Sequence, residues 1–207
     1  NSGGTPTAMR LLNEVDMVLV GDTNVGRAAY RRNSDRKAPH NLLTSTGDIY
    51  AAADGRGGTP PQMFSYRDPD EALPLSAQPL DAVEIDYGGY QVTYQWDEVS
   101  QGWARSQQGT EHVDYDGVQV VPENVIIQFV NYGQSVAYAG SPEVKVLGRG
   151  EAWVLTAGQI IEATWNRPTA VDVTEFRDAD GATIELTPGR TWVALPRSGT
   201  ASFADVD

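Results

Sequence analysis

The 207-residue sequence has no cysteine and only two histidines, His40 and His112. Without cysteine there are no disulfides, no thiolate metal sites and no cysteine nucleophile. Cations are scarce as well: 15 Lys and Arg stand against 28 Asp and Glu, for a net charge of −13. That field repels a polyphosphate backbone and argues against nucleic acid as a partner. No run of 18 apolar residues exists to form a membrane-spanning helix. Residues 1–6 (NSGGTP) have neither the charged start nor the apolar core of an export leader, which leaves a cytosolic chain or one already freed of its leader. What is present is globular composition, 40% hydrophobic and 21% charged, with 21 Gly, 12 Pro, 9 Tyr and 5 Trp favouring short strands and turns. Any anion site must be a local exception to the acidic whole.

Periodicity divides the chain. Thr5-Pro6 offers an N-cap and a first-turn proline, and Ala8, Leu11, Leu12 and Val15 follow at helical spacing. Residues 17–20 (MVLV) form a short apolar run ended by Gly21-Asp22, the pattern of a buried strand. Ser45-Thr46-Gly47-Asp48 has capping-box spacing, and Ile49, Tyr50 and three alanines continue that helix toward Gly55. GRGGTPP at 55–61, then Pro69, Pro74 and Pro79, break regular structure. Beyond about Asp81 the period is two. Strands are expected at 82–87, 90–96, 102–107, 125–132 (VIIQFVNY), 144–147, 151–156, 159–165, 171–176, 183–186 and 191–195. Ala157-Gly158, the turn at 178–181 and Pro188-Gly189 supply hairpin punctuation. The fold class expected is α+β: a partial α/β segment (1–65), a proline-rich linker (66–80) and a mainly antiparallel β domain (81–207).

The chemistry-bearing stretch is SDRKAPHNLLTS at 34–45. Arg36, Lys37, His40, Asn41, Thr44 and Ser45 place two cations, an imidazole and an amide before a helix start, where free N–H groups and the dipole favour an anion. Arginine adds a fork suited to carboxylate or phosphate. A purely structural account also fits: Pro39 sets a turn, Asn41 bonds the local backbone, and the cations are solvated.

Other groupings carry less. Glu111, His112, Asp114 and Asp116 match neither an EF-hand nor a zinc spacing, and flanking Gly109 and Gly117 suggest an acidic turn. Trp153, Glu162, Trp165, Arg167, Arg190 and Trp192 would make a stacking platform if they converged, but large aromatics on strands more often fill a core. Glu162 and Glu175 sit in no glycosidase motif. No serine has a G-x-S-x-G or S-x-x-K context, and GRGG at 55–58 lacks the G-K-[ST] of a phosphate loop. No cofactor and no metal are expected.

Four blocks in order, RKAPHNL with Thr44-Ser45, NVIIQF (124–129), GQIIEATW (158–165) and LTPGRTWV (186–193), resemble the YerB-like bacterial lipoprotein family. The resemblance implies an extracytoplasmic envelope protein, lipid-anchored or secreted, with an α/β domain followed by a β-rich one. It also implies that the leader, the anchoring cysteine and the first part of the α/β domain lie outside this chain. It brings no reaction with it. The function expected is a non-catalytic binding or scaffold module for an anionic or glycan cell-wall component or an envelope protein, in contact with membrane only through a lipid anchor. The alternative is an enzyme on wall polymer, with His40 as acid or base and Arg36 as anion clamp.

Overall fold

Alternation of apolar and polar residues is realised as strands, the main regular structure of the chain. The computed structural model describes residues 6–14, 18–68, 70–136 and 139–205. They fall into two units, Asn1–Pro60 with Gln134–Glu143, and Pro61–Gly133 with Val144–Asp207.

In the first unit, α1 (Pro6–Asn13) is followed by α2 (Asp22–Val25), which runs into a 3-10 turn at Gly26–Ala28. Strands β1 (Arg31–Arg32) and β2 (Leu42–Leu43) pair antiparallel, and α3 (Thr46–Ala53) follows. The proposed cap Thr5, and Val15 and Met17, lie outside the described residues. The strand expected at 17–20 is not formed by Val18, Leu19 and Val20, which are half-buried without a ladder partner. A short apolar run specifies burial, not pairing, and here the Val20 carbonyl accepts the Tyr30 hydroxyl at 2.9 Å instead. The expected α/β alternation is thus replaced, among the described residues, by short helices around a two-residue hairpin. The α3 expectation is met: Ser45 caps the helix, and Asp54 (φ 51°) and Gly55 (φ 67°) end it in left-handed backbone.

The second unit is β throughout. The strands after α3 are β3 (Ser65–Tyr66), β4 (Gln78–Asp86), β5 (Gln91–Asp97), β6 (Gly102–Gln107), β7 (Thr110–Glu111), β8 (Asn124–Gln128), β9 (Asn131–Gln134), β10 (Pro142–Lys145), β11 (Gly148–Thr156), β12 (Gln159–Arg167), β13 (Glu175–Arg177), β14 (Glu185–Leu186), β15 (Thr191–Ala194) and β16 (Ala201–Asp205), with Gln134 of β9 and Pro142 and Glu143 of β10 counted in the first unit. One curled sheet runs β15-β8-β11-β12-β4-β5-β6-β7, with β13 on β12 and β16 on β4. The curl brings the chain entering β8 beside β6, where Trp103 N–H bonds Pro122 O at 2.8 Å and Arg105 N–H bonds Val120 O at 3.0 Å. Strands β9 and β10 pair separately. In the main sheet pairing is antiparallel except that β15 runs parallel to β8, and β14 pairs parallel to β3, among the described residues. Residues 66–80 lie inside this unit, with Leu73 and Ala77 packed on its core. No helix follows α3 among the described residues, and none is long and apolar enough to cross a membrane.

Strand β8 explains how the core is divided. Val125 and Ile127 join Leu80, Val83, Ile85, Val92, Tyr94, Trp103 and Leu155 on one face. Ile126 joins Val154, Ile161, Trp165 and Phe176 on the other. A central strand buried on both faces reads as an unbroken apolar run, which is why NVIIQ stands out in the sequence. Each large side chain sealed this way contributes about 1.5–3 kcal/mol.

Candidate anion-binding cleft

The basic segment is a hairpin loop. Pairing of Arg31 with Leu43 and Arg32 with Leu42, closed by Asn33 N–H to Asn41 O at 2.8 Å, projects residues 34–40 into solvent. Arg36, Lys37 and His40 are exposed on that loop. The polar residues behind them build the hairpin. Asn41 Oδ1 accepts from Arg32 Nη1 at 2.7 Å, and Thr44 Oγ1 donates to Ala29 O at 2.8 Å. Ser45 Oγ accepts from Asp48 N–H at 3.1 Å and donates to the Asp48 carboxylate at 2.7 Å.

At the base of the hairpin lies a cleft of about 620 Å³ lined by Asp22, Gly26, Arg27, Tyr30, Arg31, Arg32 and Leu42. Three guanidinium groups thus face one carboxylate. Arg31 is paired with Asp48 at 3.2 Å. Arg32 has an amide partner but no carboxylate, and Arg27 has no hydrogen bond or ion pair among the described residues. The Tyr30 ring and Leu42 give the cleft apolar wall, and Asp22 Oδ1 is buried without a partner. The start of α3 is not an open anion site, contrary to expectation. The Ser45 hydroxyl, and then Arg31, hold Asp48 below the usual carboxylate range, so an ionised side chain of the helix already occupies its own first turn.

The cleft arginines were readable in outline and were passed over. Arg27, Arg31, Arg32, Arg36 and Lys37 place five of the chain's 15 cations within residues 27–37, against the single Asp35. What the linear pattern does not show is the hairpin that returns Asn41 to Arg32.

Comparison with known proteins places the chain. The family model described as "Protein of unknown function (DUF3048) C-terminal domain" matches residues 83–193, 111 of 207. The chain belongs to this DUF3048 family. Among solved structures, the crystal structure of YerB protein from Bacillus subtilis matches with a TM-score of 0.77 and 22% identity, covering 97% of this chain and 68% of that one. At that identity the likeness shows the fold. No curated protein matches.

Within the DUF3048 segment the expected platform is not assembled: of its six residues Trp192 alone stacks on an arginine among the described residues, and that is Arg105, 4.6 Å from its ring centroid. Trp165 is buried and donates Nε1–H to Phe129 O at 2.9 Å. Trp153 stands edge-on to Phe129 and Phe203, with centroids 4.9 and 4.8 Å away. Arg167 is spent on the carbonyls of Ala170 and Asp172, and Arg190 on Glu123. Glu162 lies four residues from Asn166, the partner of Glu175, a backbone offset of roughly 13 Å along β12. Asp114 Oδ1 accepts from the N–H groups of Asp116 and Val118 and shapes an exposed turn. His112 turns instead onto Arg105, a buried DUF3048 cation that sequence reading also missed.

Proposed function

We propose that the chain is an extracytoplasmic envelope protein whose basic cleft binds an anionic group, phosphate or carboxylate, of a cell-wall component or envelope partner. The observation that carries this reading is the pairing state of the cleft: Arg27 and Arg32 line it and neither has a carboxylate partner among the described residues. In a chain of net charge −13, these exposed guanidinium groups are a local exception, available to donate to an incoming anion without first breaking an ion pair. The envelope location rests on the resemblance of the RKAPHNL, NVIIQF, GQIIEATW and LTPGRTWV blocks. Exposed Arg36 and Lys37 extend the positive field outward and steer an anion toward the cleft.

The test is titration calorimetry of the full chain with pyrophosphate, phosphate-bearing wall polymer and carboxylated muropeptide fragments, at low and high salt. Binding should weaken with salt, and Arg32→Ala should cost about 1–2 kcal/mol, roughly tenfold, with Lys37→Ala costing less. Failure of all three probes at low salt, or equal negligible losses for both variants, sinks the reading.

A further inference from the structure

Arg105 lies on the buried face of the curled sheet, opposite Tyr94 in register and only 7% exposed. Its Nε donates to the Tyr94 hydroxyl at 3.2 Å, and its Nη1 lies 2.6 Å from His112 Nδ1. The guanidinium carbon is 4.6 Å from the centroid of Trp192 and 5.7 Å from that of Tyr94. The His112 ring stands edge-on to Trp192 at 5.9 Å. No carboxylate pairs with Arg105 or His112 among the described residues.

A guanidinium only donates, so His112 Nδ1 must accept, which fixes the neutral imidazole with its proton on Nε2. Protonation would set donor against donor and cation against cation at contact distance. The surroundings offer nothing to offset the second charge. From β6 comes Arg105, and from β15 only the Trp192 ring. Beside Arg105 stand Tyr94, whose phenol is pushed up to about 12 mainly by burial, and Tyr87, also raised mainly by burial, so both stay neutral. On the histidine's own segment, Glu111 and Asp114 are exposed and form no ion pair with it.

The same two residues fasten one segment to the sheet. His112 N–H bonds Arg105 O at 2.9 Å, Val120 N–H bonds His112 O at 2.8 Å, and Gln119 Nε2 reaches Arg105 O at 3.2 Å. Arg105 N–H to Val120 O at 3.0 Å and the two β6–β7 residue pairs add to this attachment to β6, and Val113, Tyr115 and Val118 are exposed.

We propose that the Arg105–His112 contact is an acid-sensitive latch: protonation of His112 parts the two side chains and frees residues 108–120, with Val113, Tyr115 and Val118, from β6. Burial, then the charge of Arg105, lower the His112 pKa below its ordinary 6.5, so the latch is closed at neutral pH. The folded state therefore takes up its proton less readily than the unfolded chain. The stability owed to the latch is full above about pH 6.5 and is lost as pH falls through the folded value.

The test is amide hydrogen exchange of the full chain, as protection factors, with the two imidazole signals followed by NMR over the same pH range. Protection of 108–120 should fall at least about tenfold with a midpoint matching that of His112, while β11 and β12 stay protected. His112→Gln can still accept from Arg105 but cannot titrate, so its 108–120 protection should not change with pH. Constant protection across the His112 titration, or the same loss in His112→Gln, overturns the latch. If His112→Gln does not fold, the wild-type midpoints decide: a mismatch above about half a pH unit between the loss of protection and the His112 titration overturns it.

Discussion

Asn124 Oδ1 accepts a hydrogen bond from Thr156 Oγ1 at 2.7 Å, and both side chains are fully buried. The two residues are opposite in the β8–β11 register. The same amide accepts Thr187 N–H at 3.1 Å and donates to Thr187 O at 2.8 Å. One side chain thus satisfies the backbone of the chain that leaves β14 and comes back as β15, parallel to β8. Asn124→Ala takes the donor from the Thr187 carbonyl and one acceptor each from Thr156 Oγ1 and Thr187 N–H, which keep only each other and Thr187 Oγ1, at 3.2 and 2.8 Å. The expected loss is about 2–4 kcal/mol by urea denaturation, and a change below about 1 kcal/mol would mean that water substitutes for the amide.

Gly150 faces Trp165 across β11 and β12. A β-carbon at Gly150 would lie 2.7 Å from Trp165 Nε1, itself fixed by its bond to Phe129 O. Gly150→Ala should therefore destabilise by about 1–3 kcal/mol through overpacking. Trp165→Phe removes both the crowding edge and the hydrogen bond. In the double variant the alanine should cost much less than alone, a coupling of at least about 0.5 kcal/mol in a double-mutant cycle.

These two relationships show why part of the fold was legible and part was not. Strands β4 and β5 were readable because apolar and polar residues alternate along them, β11 and β12 because each carries a short apolar run buried on both faces, and the Ala157-Gly158 turn because both residues take left-handed backbone (φ 48° and 72°). Period two says which way a side chain faces, not which strand lies beside it. The parallel placement of β15 therefore escaped, as did β16. The strand expected at 171–176 shrank to Glu175–Arg177, because the Asp172 carboxylate binds Thr169 N–H at 2.9 Å and holds a turn there. In the first unit, the role of Asn41 depends on Arg32 nine residues earlier, a contact that only the hairpin creates.

Glu123 ties the β14–β15 connection from outside. Its carboxylate accepts Arg190 N–H at 2.6 Å and Arg190 Nη2 at 3.1 Å. Burial pushes the Glu123 carboxyl up, but the side-chain and backbone hydrogen bonds from Arg190 outweigh it, and the net pKa falls below the ordinary 4.5. A lowered carboxylate pKa gives stability that is full above about pH 4.5 and lost as pH drops through the folded value. With Arg190 largely exposed, the pair is worth about 1 kcal/mol or less. Melting temperature against pH should fall less steeply below pH 4.5 in Glu123→Gln than in the wild type; parallel curves would remove the pair from the acid limb.

The last prediction separates capping from ligand contact at Ser45. Its hydroxyl receives Asp48 N–H and donates to the Asp48 carboxylate, which in turn holds Arg31 at the cleft. As a cap, Ser45→Ala should cost about 1 kcal/mol of stability and change pyrophosphate affinity less than about threefold. Asp48→Asn acts in the opposite sense on binding. It removes the negative charge that competes for Arg31, so that guanidinium turns wholly to an anion in the cleft. Pyrophosphate affinity should then rise about two- to fivefold, an increment of the size expected for an exposed ion pair, and the gain should fade at high salt. An affinity that drops sharply in Ser45→Ala would make the serine a ligand contact. An affinity that stays unchanged in Asp48→Asn would remove Arg31 from the anion site.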